Sequence, residues 1–138
     1  GGNLFVTEMG PSKNDEINLI QSGGNYGWPK QECAGNEEFV DPINCYDPAI
    51  EPGGIVFYYG DKIKLENPLI LATLRASHLF NLEIDEGEVK SQISILSGMG
   101  RIRDVAVGPD GYLYLITSNT DGKGFPDAMD DKLLRIMK

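Results

Sequence analysis

The chain has few of the residues that most often carry metal, thiol or base chemistry: its 138 residues include one histidine, two cysteines and one tryptophan. Cys33 and Cys45 are separated by eleven residues and His78 lies far from both, which excludes the common zinc patterns. Positive charge is scarce too. Twelve Lys and Arg stand against 21 Asp and Glu, a net charge of -9, so the electrostatics oppose phosphate backbones and anionic membranes and exclude nucleic acid as a partner. No apolar run approaches the ~20 residues of a membrane span. No segment sustains a helical period either, which removes bundles and α/β layers from the candidate folds.

Turn formers and short strand-like runs are abundant instead. Seventeen glycines and eight prolines, with Asn and Asp, separate runs at 3–8, 17–20, 54–59, 69–74, 78–84, 91–96, 102–107, 112–117 and 132–137. The fold class that follows is all-β. A weak internal echo adds organisation: the strand Gly2–Thr7 and the following Asp15–Ile20 are mirrored by Gly111–Thr117 and Asp131–Ile136. The copies start 109 residues apart, about two repeats of the ~40–50 residues typical of propeller blades.

The segment with the most chemistry is Gly10-Pro11-Ser12-Lys13-Asn14-Asp15-Glu16-Ile17-Asn18-Leu19-Ile20, followed by Gly23-Gly24-Asn25-Tyr26-Gly27-Trp28-Pro29. Gly10 permits backbone conformations closed to other residues and Pro11 offers only a carbonyl, so the pair suits presenting bare oxygens to a cation. Asp15 and Glu16 add carboxylates just before a strand. The glycine-rich turn could fold the Tyr26 carbonyl back towards Glu16. On composition alone a polar hairpin loop explains the same residues, and the spacing is not that of an EF-hand. Arg101 and Arg103 alternate in a strand-like run, which predicts both side chains on one face and Asp104 on the other. Surface ion pairing is the ordinary fate of such residues, and it also accounts for Asp121, Asp127, Asp130 and Asp131 in a glycine-containing loop. The aromatic residues Trp28, Phe57, Tyr58, Tyr59, Phe80, Tyr112 and Tyr114 read as core and inter-sheet packing.

The string MGPSKNDEINLIQSGGNYGWP, with PLILATLRASHLFNLEID and GRIRDVAVGPDGYLYLITS in the same order, resembles the soluble glucose/sorbosone (aldose sugar) dehydrogenases. That family uses pyrroloquinoline quinone (PQQ) and calcium on a six-bladed β-propeller. The resemblance covers nearly the whole chain and is looser between about residues 30 and 52. It implies that the Gly10 and Pro11 carbonyls hold the calcium beside the quinone. It further implies that Glu16 and Tyr26, with Asp15 as a possible contributor, belong to a second calcium site, and that Arg101 and Arg103 engage PQQ. Arg75 falls where many members carry a lysine beside the quinone, which keeps the charge and changes the donor geometry. The family's histidine base and an arginine-asparagine pair lie upstream of the GP motif and have no counterpart here; His78 reads as a structural histidine.

The resemblance also implies a partial six-bladed propeller, with one complete blade at 54–97 flanked by incomplete ones at 1–20 and 98–138 and a loop region at 21–53. The chain starts at Gly1-Gly2-Asn3-Leu4, within a strand-like run and without an initiator methionine, so it is expected to be the C-terminal part of a longer enzyme. Open sheet edges would then favour self-association. The expected activity of the parent is oxidation of the anomeric carbon of an aldose to a lactone, the fragment alone being inactive. These quinoproteins generally work outside the cytoplasm, which favours a Cys33–Cys45 disulfide over two free thiols. Two other readings stay open: a non-catalytic calcium-binding propeller for a protein or sugar partner, and a lactonase-type propeller hydrolase.

Overall fold

A computed structural model describes residues 2–137; Gly1 and Lys138 lie outside the described residues. Ten strands in three antiparallel sheets make up the regular structure: β1 (Phe5–Glu8), β2 (Asp15–Leu19), β3 (Asn44–Tyr46), β4 (Pro52–Phe57), β5 (Leu69–Thr73), β6 (His78–Asp85), β7 (Glu88–Ser97), β8 (Ile102–Val107), β9 (Leu113–Thr117) and β10 (Leu133–Arg135). The sheet orders are β1-β2-β3, β4-β5-β6-β7 and β10-β9-β8. A four-stranded meander therefore stands between two three-stranded ones, and the architecture is that of a partial β-propeller. No helix among the described residues is long and apolar enough to cross a membrane.

Nine of the ten strands fall on the runs expected from alternation. β3 does not. It lies inside the segment expected to be loop, and its strand character comes from pairing with β2, through Asp15↔Tyr46, Glu16↔Cys45 and Ile17↔Asn44. Cys45 on this strand is bonded to Cys33, so the disulfide ties the 33–45 loop to the first sheet.

β5 shows how the sheets are joined. All five of its residues are buried, and because successive side chains point to opposite faces they feed two different cores. Leu69 and Leu71 pack with Ile17 and Leu82 towards the first sheet. Ile70 and Ala72 pack with Leu79, Ile102, Val105, Leu113 and Leu115 towards the third. Two aromatic residues expected in the packing are on the surface instead: Trp28 is 63% exposed and Tyr59 82%.

β1, β4 and β8 come together at one side of this stack. Thr7 of β1 donates its hydroxyl to the Gly53 carbonyl of β4 at 2.8 Å. A Cβ at Gly53 would overlap the Arg103 carbonyl, and one at Gly54 would overlap the Asp104 carboxylate. Only glycine lets β4 approach β8 this closely beside Arg103.

Candidate functional site

The turn after β1 is shaped by a buried carboxylate. Asp15 is 0% exposed, its Oδ1 accepting from the Gly10 N–H at 2.9 Å and its Oδ2 from the N–H groups of Ile50 and Glu51, both at 2.7 Å. Its oxygens are thus engaged by the backbone, and in this chain Asp15 organises turns. Gly10 has no room for a side chain, since a Cβ there would overlap the Lys13 carbonyl oxygen. Pro11 is exposed beside it.

Gly10, Glu16 and Tyr26 meet around one cavity of about 150 Å³, which Glu8, Gln31 and Glu32 also line. The resemblance assigns Gly10 and the Glu16–Tyr26 pair to two separate cations; here both groups border the same space. Glu8 and Glu16 sit directly opposite each other in the β1–β2 register, a like-charge pair that costs stability unless it is compensated. The Asn18 amide compensates in part, donating to Glu8 Oε2 at 2.7 Å and to Glu16 Oε2 at 3.2 Å. Glu16 Oε1 accepts from the Cys33 N–H, so the disulfide loop also reaches this carboxylate. The Tyr26 hydroxyl accepts from the Gln21 N–H and donates to the Leu19 carbonyl, closing the turn after β2.

The donor set suits a hard cation. Gln31 Oε1, which belongs to a residue lining the cavity, is buried without a hydrogen-bond partner among the described residues. An oxygen-rich cavity containing opposed carboxylates and an unsatisfied amide oxygen has the chemistry that Ca²⁺ prefers. Among the described residues no three His, Cys, Asp or Glu side chains are grouped as a metal site, so any cation here would rely on backbone and amide oxygens as well.

The arginines form a second cluster, reached from the first through the Ile50–Glu51 turn. Arg101 is nearly buried, its side chain 9% exposed; Nη2 donates to Glu51 Oε2 at 2.8 Å and Nε to Asp121 Oδ2 at 2.9 Å. Arg103 donates to the same Asp121 oxygen at 3.2 Å and to the Ser118 hydroxyl at 2.8 Å. Both guanidiniums therefore converge on one carboxylate, as the alternation requires, although the β8–β9 register shifts between Ile102 and Asp104. Lys123 reaches Glu51 Oε1 at 3.3 Å. Arg75 docks its backbone N–H on the Ile50 carbonyl at 3.0 Å, and its side chain lines a cavity of about 220 Å³ with Arg101, Asn119, Lys123 and Phe125.

The acids of this cluster stay ionised. Partial burial would raise the Glu51 carboxyl, but hydrogen bonds from Arg101 and Lys123 outweigh it and hold the group below its ordinary value. The Lys123 N–H and then the Arg101 guanidinium, against desolvation, hold Asp121 low in the same way. Burial opposes the charge of Arg101, yet its bonds to Glu51 and Asp121 raise its pKa further. The remaining loop aspartates close the loop on itself. Asp127 and Asp130 pair with Lys132, and Asp131 accepts from Asn119 and Thr120.

A continuous chain of contacts thus runs from Gly10 through Asp15, Glu51, Arg101 and Asp121 to Arg103. Glu51 in this chain of contacts, and Lys123 bonded to it from the side, are the residues that sequence reasoning missed. Neither carries a local signal: Glu51 acts on Arg101 across fifty residues of sequence. His78, by contrast, lies outside this chain of contacts, its Nδ1 2.6 Å from the Ser94 hydroxyl and its ring stacked on Phe80.

Known proteins share this arrangement of sheets. The sequence profile of the glucose/sorbosone dehydrogenase family matches residues 1–135. The aldose sugar dehydrogenase YliI of Escherichia coli K12 is 33% identical over 139 residues, covering 87% of this chain and 37% of that protein. A crystal structure described as a glucose dehydrogenase of Thermus thermophilus superposes with a TM-score of 0.83 at 43% identity, covering 96% of this chain and 40% of that one. The PQQ-bound aldose sugar dehydrogenase of Streptomyces coelicolor superposes with a TM-score of 0.78 at 34% identity, covering 96% and 39%. The chain spans between a third and two fifths of the length of these relatives. With a match over almost its full length and a shared arrangement of sheets, the chain belongs to the glucose/sorbosone dehydrogenase family.

Proposed function

We propose that this chain supplies the cation floor and the cationic clamp of a PQQ-dependent aldose dehydrogenase whose remaining blades lie outside it. The observation that carries the proposal is the line of hydrogen bonds joining the Gly10 turn to Arg101 and Arg103 through Asp15, Glu51 and Asp121. An oxygen-lined cavity stands at one end and a cation-lined cavity at the other, the pairing that a calcium ion and a polycarboxylate quinone need. Arg101, Arg103 and Arg75 would engage the carboxylates and carbonyls of PQQ. Gly10 and Pro11 would present backbone oxygens to calcium, and Glu16 and Tyr26 would hold a second ion. The chemistry supplied by the bound quinone and calcium is hydride acceptance from the anomeric carbon of an aldose, which leaves a lactone.

The residues of this chain bind and orient. The one histidine, His78, is engaged with Ser94 and Phe80, so the base is expected from another part of the enzyme and the isolated chain is expected to be inactive. The Cys33–Cys45 bond supports an extracytoplasmic setting, where a disulfide persists. The test is sugar-dependent dye reduction by the full-length protein reconstituted with PQQ and calcium. Turnover of aldoses that requires both supports the reading. Saturating PQQ and calcium with no turnover of any aldose would overturn it.

A further inference from the structure

We propose that Glu51 is a positioning residue for Arg101, fixing the plane of its guanidinium so that the remaining N–H donors serve an anionic ligand. The inference deepens the reading above and rests on it for the identity of that ligand. A guanidinium has five N–H donors in a rigid fork. Asp121 takes Nε and Glu51 takes Nη2, so two carboxylates share that edge of the group and restrain rotation about its bonds. The rest of the fork is left for a ligand in the cavity that Arg101 lines with Arg75 and Lys123.

Glu51 is itself held firmly enough to do this. It has φ +49°, in the left-handed region, although it is neither glycine nor asparagine and precedes Pro52. Two backbone bonds enforce that conformation: its N–H donates to Asp15 Oδ2 at 2.7 Å, and its carbonyl accepts from the Leu74 N–H at 2.8 Å. A strained residue fixed from both sides beside a candidate binding group is the pattern of preorganisation. The same carboxylate also reaches Lys123 Nζ, so it spans two of the three cationic residues that line the cavity.

A simpler role, partial neutralisation of Arg101, predicts the opposite result. If Glu51 merely offsets positive charge, removing it strengthens anion binding. If it positions Arg101, removing it weakens binding, because the ligand must then order the guanidinium itself.

The experiment uses the full-length, calcium-loaded protein in wild-type, Glu51→Gln, Glu51→Ala and Lys123→Ala forms, with PQQ titrated by its absorbance. Glutamine keeps an acceptor oxygen and alanine keeps none. Positioning predicts a PQQ Kd raised about tenfold or more in Glu51→Ala and a smaller rise of about threefold in Glu51→Gln, the latter with only the small fall in melting temperature that loss of the Glu51 ion pairs entails. Arginine-selective NMR of the ligand-free proteins should show faster rotation about the Arg101 Cζ–Nε bond in Glu51→Ala and wild-type rotation in Lys123→Ala. Equal or tighter PQQ binding by both Glu51 variants, or unchanged Arg101 rotation in Glu51→Ala, would overturn the proposal. If the wild-type protein does not bind PQQ at all, the functional reading fails by itself. The rotation measurement then still decides whether Glu51 anchors Arg101.

Discussion

Replacing Asp15 by asparagine perturbs one buried group on which the Gly10 turn and the Ile50–Glu51 segment both depend. The carboxylate accepts from Gly10 through Oδ1 and from Ile50 and Glu51 through Oδ2. Asparagine offers one acceptor oxygen and an amide that only donates, so one side of the new group faces a backbone N–H with another N–H. The better orientation keeps its oxygen on Ile50 and Glu51 and sacrifices Gly10. A buried donor without a partner costs roughly 1–3 kcal/mol, and two surviving bonds weaken from charge-assisted to neutral, each by a fraction of the roughly 1.5–3 kcal/mol that such bonds contribute. Relief from burying a charge returns part of this. The net expectation for Asp15→Asn is a destabilisation of about 2–4 kcal/mol, read from urea denaturation of the full-length protein. Amide exchange should accelerate first at Gly10. A variant within about 0.5 kcal/mol of wild type, the range of ordinary surface changes, would refute the role assigned to Asp15.

Three further outcomes can be checked independently. Thiol titration of the denatured, unreduced protein should find no reactive sulfhydryl from Cys33 or Cys45, and Cys45→Ser should cost about 3 kcal/mol through loss of loop closure; two titratable thiols would contradict the bond. Glu51 and Asp121 are held below their ordinary pKa values, so their contribution to stability is complete above the ordinary carboxylate range and is lost as pH falls through their lowered folded values. Acid titration of stability should therefore fall less steeply in Glu51→Gln than in wild type, and identical slopes would count against the pairing. Chelation of divalent cations should lower the melting temperature of the full-length protein, and Glu8→Gln, which relieves the charge opposed to Glu16, should lessen that drop; a chelator-insensitive wild type would remove the cation from the account.

The legible parts of this fold were those with local periodicity. β5, β6, β8 and β9 announce themselves through apolar runs or alternation bounded by Gly, Pro, Asn and Asp, and the same alternation puts Arg101 and Arg103 on one face. β3 was not legible. Three residues between Pro42 and Pro48 have no period of their own, and β2 makes them a strand. Carboxylates beside a glycine-rich turn suit a cation, which makes Asp15 a possible contributor to such a site; that backbone N–H groups from residues 10, 50 and 51 converge on it is visible only in the tertiary fold. Glu51 was invisible for a related reason. Its place beside Arg101 depends on the close approach of β4 to β8 at Gly53 and Gly54, which no local pattern reports.

That the Gly10 turn and the arginine pair serve one ligand is tested most directly by PQQ binding to the full-length protein with and without calcium, in wild-type and Arg101→Ala forms. Saturable binding is expected in calcium, weakening at least tenfold when calcium is chelated and again when Arg101 is truncated. Binding indifferent to both changes would contradict it.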